Sequence, residues 1–176
     1  MAQPEIEIRD AVIADLPRIF AIYNREVEHG IATFDVEPRR AGVDDGWLLG
    51  RASCHPVLVG DRAGEMVGWG AIGPWSPRGA YRRTGEVSVY VDEDARGAGV
   101  GSSLLGALIN RARGSEVAVL LARVAQPNPA STKIHEAHGF KSFGIQRRCG
   151  EKLGQILDVE LMDMHLDEVT KRPRSS

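Results

Sequence analysis

The chain has 176 residues, 43% of them hydrophobic and 26% charged, and a net charge of −2 at pH 7. That length suits one domain with a core large enough to fold without metal or disulfide support. The balanced charge excludes a dedicated nucleic-acid binder, which needs a concentrated basic face. Cys54 and Cys149 are the only cysteines. Their unrelated contexts exclude a disulfide framework and fit a reducing compartment. The first ten residues have no leader-like pattern, and no apolar run nears the roughly 20 residues of a membrane span. The expectation is a soluble, cytoplasmic protein with no membrane or nucleic-acid partner.

Ile6 and Ile8 alternate with polar residues and predict a first strand. Asp15 is expected to cap a helix, with Pro17 near its start and Gly30 as its stop. Leu16, Ile19, Phe20, Tyr23 and Val27 recur along it at helical spacing. A short helical stretch follows at 47–49. Residues 57–59 and 66–72 read as a hairpin turning at Asp61-Arg62-Ala63-Gly64. In the strand at 84–91, Glu86, Ser88 and Tyr90 alternate with Val87, Val89 and Val91. A glycine-rich loop leads from it into a helix carrying Leu104, Leu105, Leu108 and Ile109. Residues 117–124 are almost wholly apolar, predicting a strand buried on both faces. Pro127-Asn128-Pro129 ends that strand, and a helix at 130–138 stops at Gly139. Two strands around a turn-rich stretch at 149–154 complete an α/β single domain with a mixed central sheet flanked by helices. The domain is expected to span 1–169, with a disordered basic tail at 170–176.

Arg96-Gly97-Ala98-Gly99-Val100-Gly101 lies between strand and helix. Glycines allow close backbone approach, and a helix N-terminus favours an anion, so a phosphate site follows. A P-loop would need lysine before Ser102-Ser103, and a dinucleotide fingerprint would need glycine at 102. The spacing from Arg96 to Gly99 and Gly101 instead resembles the pyrophosphate loop of the GNAT superfamily of acetyl-CoA-dependent N-acetyltransferases. The stretch from Pro127-Asn128-Pro129-Ala130-Ser131 through His135 to Gly139-Phe140 resembles the second signature of that superfamily. The resemblance implies a GNAT fold and acetyl-CoA as cosubstrate. The cosubstrate would be held by Arg96, Gly97, Ala98, Gly99, Val100, Gly101 and Ser102, with Asn128 and Ser131 along its pantetheine arm. Val89, Tyr90 and Val91 would line it from the strand, the amide of Val89 or Val91 facing the acetyl oxygen.

Attack on a thioester needs a neutral amine, hence a base, and Glu86 is the candidate. His135-Glu136-Ala137-His138 is one residue short of HExxH, so no metal is expected. Gly101-Ser102-Ser103-Leu104-Leu105 fails G-x-S-x-G. The chain more narrowly resembles the phosphinothricin acetyltransferases and their methionine sulfoximine-acetylating relatives. The matches run from Ile22-Tyr23-Asn24 with Val27 and Thr33-Phe34 through Pro74-Trp75, Arg78, Ala80, Tyr81, Thr84, Glu86 and Val89-Tyr90-Val91. They continue through His135-Glu136-Ala137, Gly139-Phe140, Gly150, Lys152, Gly154 and Asp158-Val159. That resemblance implies Glu86 as base, and His135 where many superfamily members have a tyrosine acid. His135 would act as acid or base, or position the substrate. Phe34, Trp75, Arg78, Tyr81 and Thr84 would form the substrate site, with Arg78 on a carboxylate. The resemblance also implies a small amino-acid-like amine as substrate, and a homodimer. Ser76, Arg83 and Ile156 depart from the herbicide-resistance enzymes, the last two as candidate changes to the pocket wall. An aminoglycoside, polyamine or protein N-terminus, or a non-catalytic acyl-CoA-binding role, stays open.

Overall fold

Period-two and period-3.6 patterns resolve into seven strands and four helices in the computed structural model, which describes residues 5–166. The expected boundary at 169 and the tail at 170–176 lie outside the described residues. Strand β1 (Ile6–Asp10) is followed by helices α1 (Leu16–His29) and α2 (Gly46–Leu49), then by strands β2 (Val57–Arg62), β3 (Glu65–Pro74) and β4 (Thr84–Val91). Helix α3 (Val100–Arg113), β5 (Val119–Gln126), α4 (Pro129–Ala137), β6 (Lys141–Lys152) and β7 (Gln155–His165) follow. The sheet order is β1-β2-β3-β4-β5-β7-β6. Every pairing is antiparallel except β4 with β5, so the sheet is mixed.

Alternation along the strands divides the core between the two sheet faces. Leu104, Leu105 and Leu108 of α3 pack on Leu58, Ile72, Val87, Leu120 and Met162. On the other face, Leu16, Ile19, Phe20 and Tyr23 of α1 pack on Val57, Val59, Trp69 and Ala71. Helix α3 approaches β3 closely because Gly70 has no side chain. A Cβ there would lie 2.8 Å from Leu108 Cδ1.

Four local expectations change. Strand β2 runs on to Arg62 because its hairpin closes on only two residues, Ala63 (φ 52°) and Gly64 (φ 83°), a primed turn that matches strand twist. The β6–β7 hairpin closes the same way on Leu153 (φ 51°) and Gly154 (φ 72°), so 149–152 is strand rather than turn. Strand β5 starts later than expected and is not buried on both faces. Leu120, Ala122 and Val124 face α3, whereas Arg123 is exposed on the opposite face.

Asp15 does not cap α1 with its side chain. Its carboxylate accepts from Val12 N (2.8 Å) and from two Arg9 nitrogens (2.7 and 2.9 Å). Arg9 also donates to Asp61 Oδ2 on β2 at 2.8 Å, which ties the entry of α1 to the sheet. Its hydrogen bonds from Arg9 outweigh burial and hold the Asp15 carboxyl below the ordinary carboxylate range. A depressed value stabilises the fold above the unfolded carboxyl's pKa, and that stability fades as pH falls through the folded one. Asp15→Asn should therefore cost about 1–3 kcal/mol at pH 7. The gap to wild type should narrow below about pH 4, as urea denaturation across pH would measure.

Candidate active site

Strands β4 and β5 pair only at Thr84, Gly85 and Glu86, opposite Val119, Leu120 and Leu121. Beyond that point β4 stays registered on β3 as far as Val91, while β5 follows β7 to Gln126. The two strands diverge, and a cleft opens between them. Asp92 N donates to Val67 O on β3 (2.9 Å). By strand alternation, the amides of Val89 and Val91 then face the cleft rather than β3.

A cavity of about 790 Å³ fills the cleft on the α3 side, lined by Val89, Tyr90, Val91, Arg96, Gly97, Gly99, Val100, Gly101, Ser102, Asn128, Ser131 and His135. These are the expected cofactor residues apart from Ala98, with His135 beside them. Gly97 and Gly99 have φ of 76° and 82°, conformations that L side chains rarely adopt. Gly99 sits at the N-cap of α3, so the amides of the first helical turn are not used within the helix. Arg96 donates to Glu26 Oε1 (2.6 Å) and Val91 O (3.3 Å), which fixes the loop to α1 and β4. Asn128 caps α4, its Oδ1 accepting from Ser131 N (3.1 Å), which leaves its NH₂ group for a ligand. Ser102 Oγ meets His138 Nε2 at 2.9 Å, so that histidine braces α3 against α4.

A second cavity, of about 590 Å³, opens on the opposite sheet face and is lined by Phe34, Glu86, Ser88, Tyr90, Arg39, Arg51 and Arg123 among others. Ala32, Ser88, Tyr90, Arg123 and Ala125 line both cavities. Tyr23, Trp47, Trp69 and Tyr90 form an aromatic cluster in the second cavity, with Trp69 and Tyr90 stacked at 4.7 Å. Tyr23 Oη donates to Asp35 Oδ2 (2.6 Å) and meets Thr33 Oγ1 (2.8 Å). Burial, then that carboxylate, pushes its hydroxyl up to about 12.

Glu86 is mostly buried, and both its oxygens accept from Arg123, at 2.7 Å from Nε and 2.8 Å from Nη2. The Arg123 guanidinium lies 5.3 Å over the Trp75 ring, which itself lines neither cavity. Phe34 packs over Gly150, where a Cβ would lie 2.1 Å from its ring. Arg78 and Tyr81 belong to the turn before β4, Thr84 is the first residue of β4, and none of the three lines either cavity. Arg83 and Ile156 also lie outside both, Ile156 being exposed on β7.

Arg39, Arg51 and Arg123 were not foreseen as site residues. A lone arginine inside the apolar run of β5 was the available signal for Arg123. Arg51 follows α2, and Arg39 comes from the irregular segment between α1 and α2, where no periodicity marks it. Asn24 holds that segment on α1, exchanging hydrogen bonds with Arg39 N and O at 2.8 Å each. Lys152, buried, donates to Glu26 O (2.8 Å) and Thr33 O (2.7 Å) and fixes the start of the same segment.

His135 is buried and lines the α3-side cavity, with its ring edge-on to Phe140 at 5.1 Å. Its Nδ1 lies 2.8 Å from Ser131 O. A carbonyl only accepts, so Nδ1 carries the hydrogen and, in the neutral ring, Nε2 keeps its lone pair. Burial is the leading influence on its pKa and lowers it below the ordinary histidine value.

The family model of the Acetyltransferase (GNAT) domain matches residues 8–161. The chain is 40% identical, over 94% of its length and 98% of the relative's, to the L-methionine sulfoximine/L-methionine sulfone acetyltransferase of Pseudomonas aeruginosa. It is 39% identical to the phosphinothricin N-acetyltransferase of Alcaligenes faecalis, over 87% of this chain and 79% of that one. An acetyltransferase of Salmonella typhimurium, solved with its cofactor acetyl-CoA, superposes with a TM-score of 0.90 at 32% identity, covering 97% of this chain and 99% of that one. The buried imidazole supplies its own test. Carbon and nitrogen NMR should find His135 as the Nδ1–H tautomer, with a titration midpoint below the ordinary 6.5. A midpoint above pH 7 would contradict its neutral, acceptor state at that pH.

Proposed function

The chain belongs to the GNAT family of acetyl-CoA-dependent N-acetyltransferases, and on that premise we propose that it acetylates the α-amine of a small, polar L-amino acid. Methionine sulfone, methionine sulfoximine and phosphinothricin exemplify the class. The observation that carries the reading is the meeting of two cavities along Ser88, Tyr90, Arg123 and Ala125, at the divergence of β4 from β5. One cavity runs to a glycine loop and helix N-terminus suited to a pyrophosphate. The other holds a carboxylate, arginines and aromatic walls suited to an amino acid.

Acetyl-CoA, when bound, supplies the activated acetyl thioester. The amides of Gly97, Gly99, Val100 and Gly101 are the donors for its pyrophosphate, and Asn128 for its pantetheine arm. The cleft-facing amides of Val89 and Val91 are positioned to donate to an acyl oxygen as it gains charge. Glu86 takes the proton of the incoming ammonium. Arg123 occupies one lone pair on each carboxylate oxygen, and a carboxylate has about four acceptor positions. His135 would serve the same cleft at Nε2, accepting the second proton that the amine sheds as the amide forms and passing it to the coenzyme A thiolate that leaves.

A homodimer is part of the proposal. It is supported by Phe143, Ile145, Leu153 and Ile156, which are exposed along the β6–β7 hairpin as an apolar surface that a second copy would cover. A cytoplasmic location is proposed too, in keeping with the free Cys54 and Cys149. The arginines of the second cavity favour an anionic substrate over an aminoglycoside or polyamine.

A thiol-release assay with acetyl-CoA should detect turnover of these three amino acids. Activity on aminoglycosides or peptides with none on the amino acids would reject the substrate class. Glu86→Gln should keep acetyl-CoA binding and lower kcat by about 10²–10⁴. Near wild-type turnover from pH 6 to 9 would remove Glu86 from the mechanism. Gly99→Val places a β-branched residue at positive φ and should weaken acetyl-CoA binding in calorimetry. Unchanged affinity would displace the pyrophosphate from this loop.

A further inference from the structure

Arg123 lines both cavities and grips the proposed base, yet the reaction as described uses it only as a partner of Glu86. A guanidinium has five N–H donors. Glu86 takes one from Nε and one from Nη2, so both hydrogens of Nη1 and the second of Nη2 remain. One hydrogen of Nη1 and the remaining one of Nη2 run parallel along the end-on edge of the planar group, the geometry that binds a second carboxylate bidentately. Register explains the placement. Leu121 is the partner of Glu86 in the parallel pair, and Arg123 follows two residues later on the same sheet face, where the strands separate. Its long side chain spans the widening gap, with Trp75 beneath the guanidinium.

The other arginines of this cavity are differently committed. Arg51 donates to His55 O (2.8 Å) and Ile72 O (2.5 Å), fixing the backbone of two segments. Arg39 lies over the Tyr23 and Trp47 rings at 5.4 and 5.7 Å.

We propose that Arg123 receives the α-carboxylate of the substrate on its free edge while the other edge keeps Glu86 in place. The inference rests on the amino-acid substrate proposed above, and gives the carboxylate-binding role to Arg123 instead of Arg78. An α-carboxylate and an α-amine share one carbon. Seating the first on Arg123 therefore brings the second against Glu86 and against the mouth of the cofactor cavity. Arg123 becomes both a positioning residue for the base and the selector for amines that carry a neighbouring carboxylate.

The test compares kcat/KM for L-methionine sulfone with that for 3-(methylsulfonyl)propylamine, the same molecule without its carboxylate. Misplacement of Glu86 in an Arg123→Ala variant affects both substrates, so the ratio isolates carboxylate recognition. Loss of a charge-assisted pair predicts that the wild-type preference for the amino acid falls roughly 10–100-fold, mostly through KM. Arg123→Lys, a point charge without the fork, should restore part of the ratio. Because the Arg123 side chain is 54% exposed, the fold should tolerate both changes. A thermal melting profile matching the wild type confirms that it does. An unchanged ratio in Arg123→Ala overturns this assignment and leaves the proposed function standing. A wild-type enzyme inactive on the amino acid overturns the proposed function, and the inference falls with it.

Discussion

Three residue pairs of parallel pairing hold β4 to β5, and the site depends on that pairing ending at Glu86 and Leu121. Each strand has a full antiparallel partner on its other side, β3 for β4 and β7 for β5. Those partners draw the two strands apart without unfolding either. The split turns the amides of Val89 and Val91 towards a cleft instead of a neighbouring strand. In a continuous sheet they would be consumed by the ladder. The same split opens a passage through the sheet, so one cavity reaches the other. A reaction between two molecules held on opposite faces needs such a passage.

Charge is distributed unevenly around it. On the α3 side, backbone amides and the helix dipole supply the positive potential, and the arginine of the glycine loop, Arg96, is paired with Glu26. On the other face the positive groups are side chains, set among aromatic rings that limit water around them. Interactions between ions strengthen as water is excluded. The Glu86–Arg123 pair can therefore hold its geometry more firmly than an exposed ion pair would, although Arg123 itself remains half exposed. Burial lowers the pKa of His135 and so favours its neutral form.

The irregular stretch between α1 and α2 builds much of the wall of the second cavity, and separate anchors hold it. Asn24 grips the backbone of Arg39, Lys152 grips the carbonyls of Glu26 and Thr33, and Tyr23 holds Asp35 and Thr33. The Lys152 anchor comes from the far end of the sheet. The β6–β7 hairpin thus contributes to the site without carrying its chemistry. Buried polar groups of this kind fix one arrangement because any other would leave them unsatisfied.

The cofactor side was legible from the sequence because its requirements are local. A glycine at positive φ, a helix N-terminus and a capping asparagine are properties of adjacent residues, and the spacing from Arg96 to Gly101 displays them. The face carrying Glu86, Ser88 and Tyr90 was legible for the same reason, since strand alternation needs only period two. The Asp15 side chain was misassigned because its partner Arg9 lies on another element, and proximity along the chain favoured a cap. The arginines of the second cavity illustrate the same limit. Resemblance directed attention to Arg78, which folds onto a turn outside both cavities, while Arg123 looked like an interruption in an apolar strand. Only the register of β5 against β4, and the point where that register stops, put its guanidinium on Glu86. The sequence determined which residues line the α3-side cavity through their own backbone neighbourhood. Tertiary structure decided which side chains meet across strands, because that depends on pairing partners the sequence does not display.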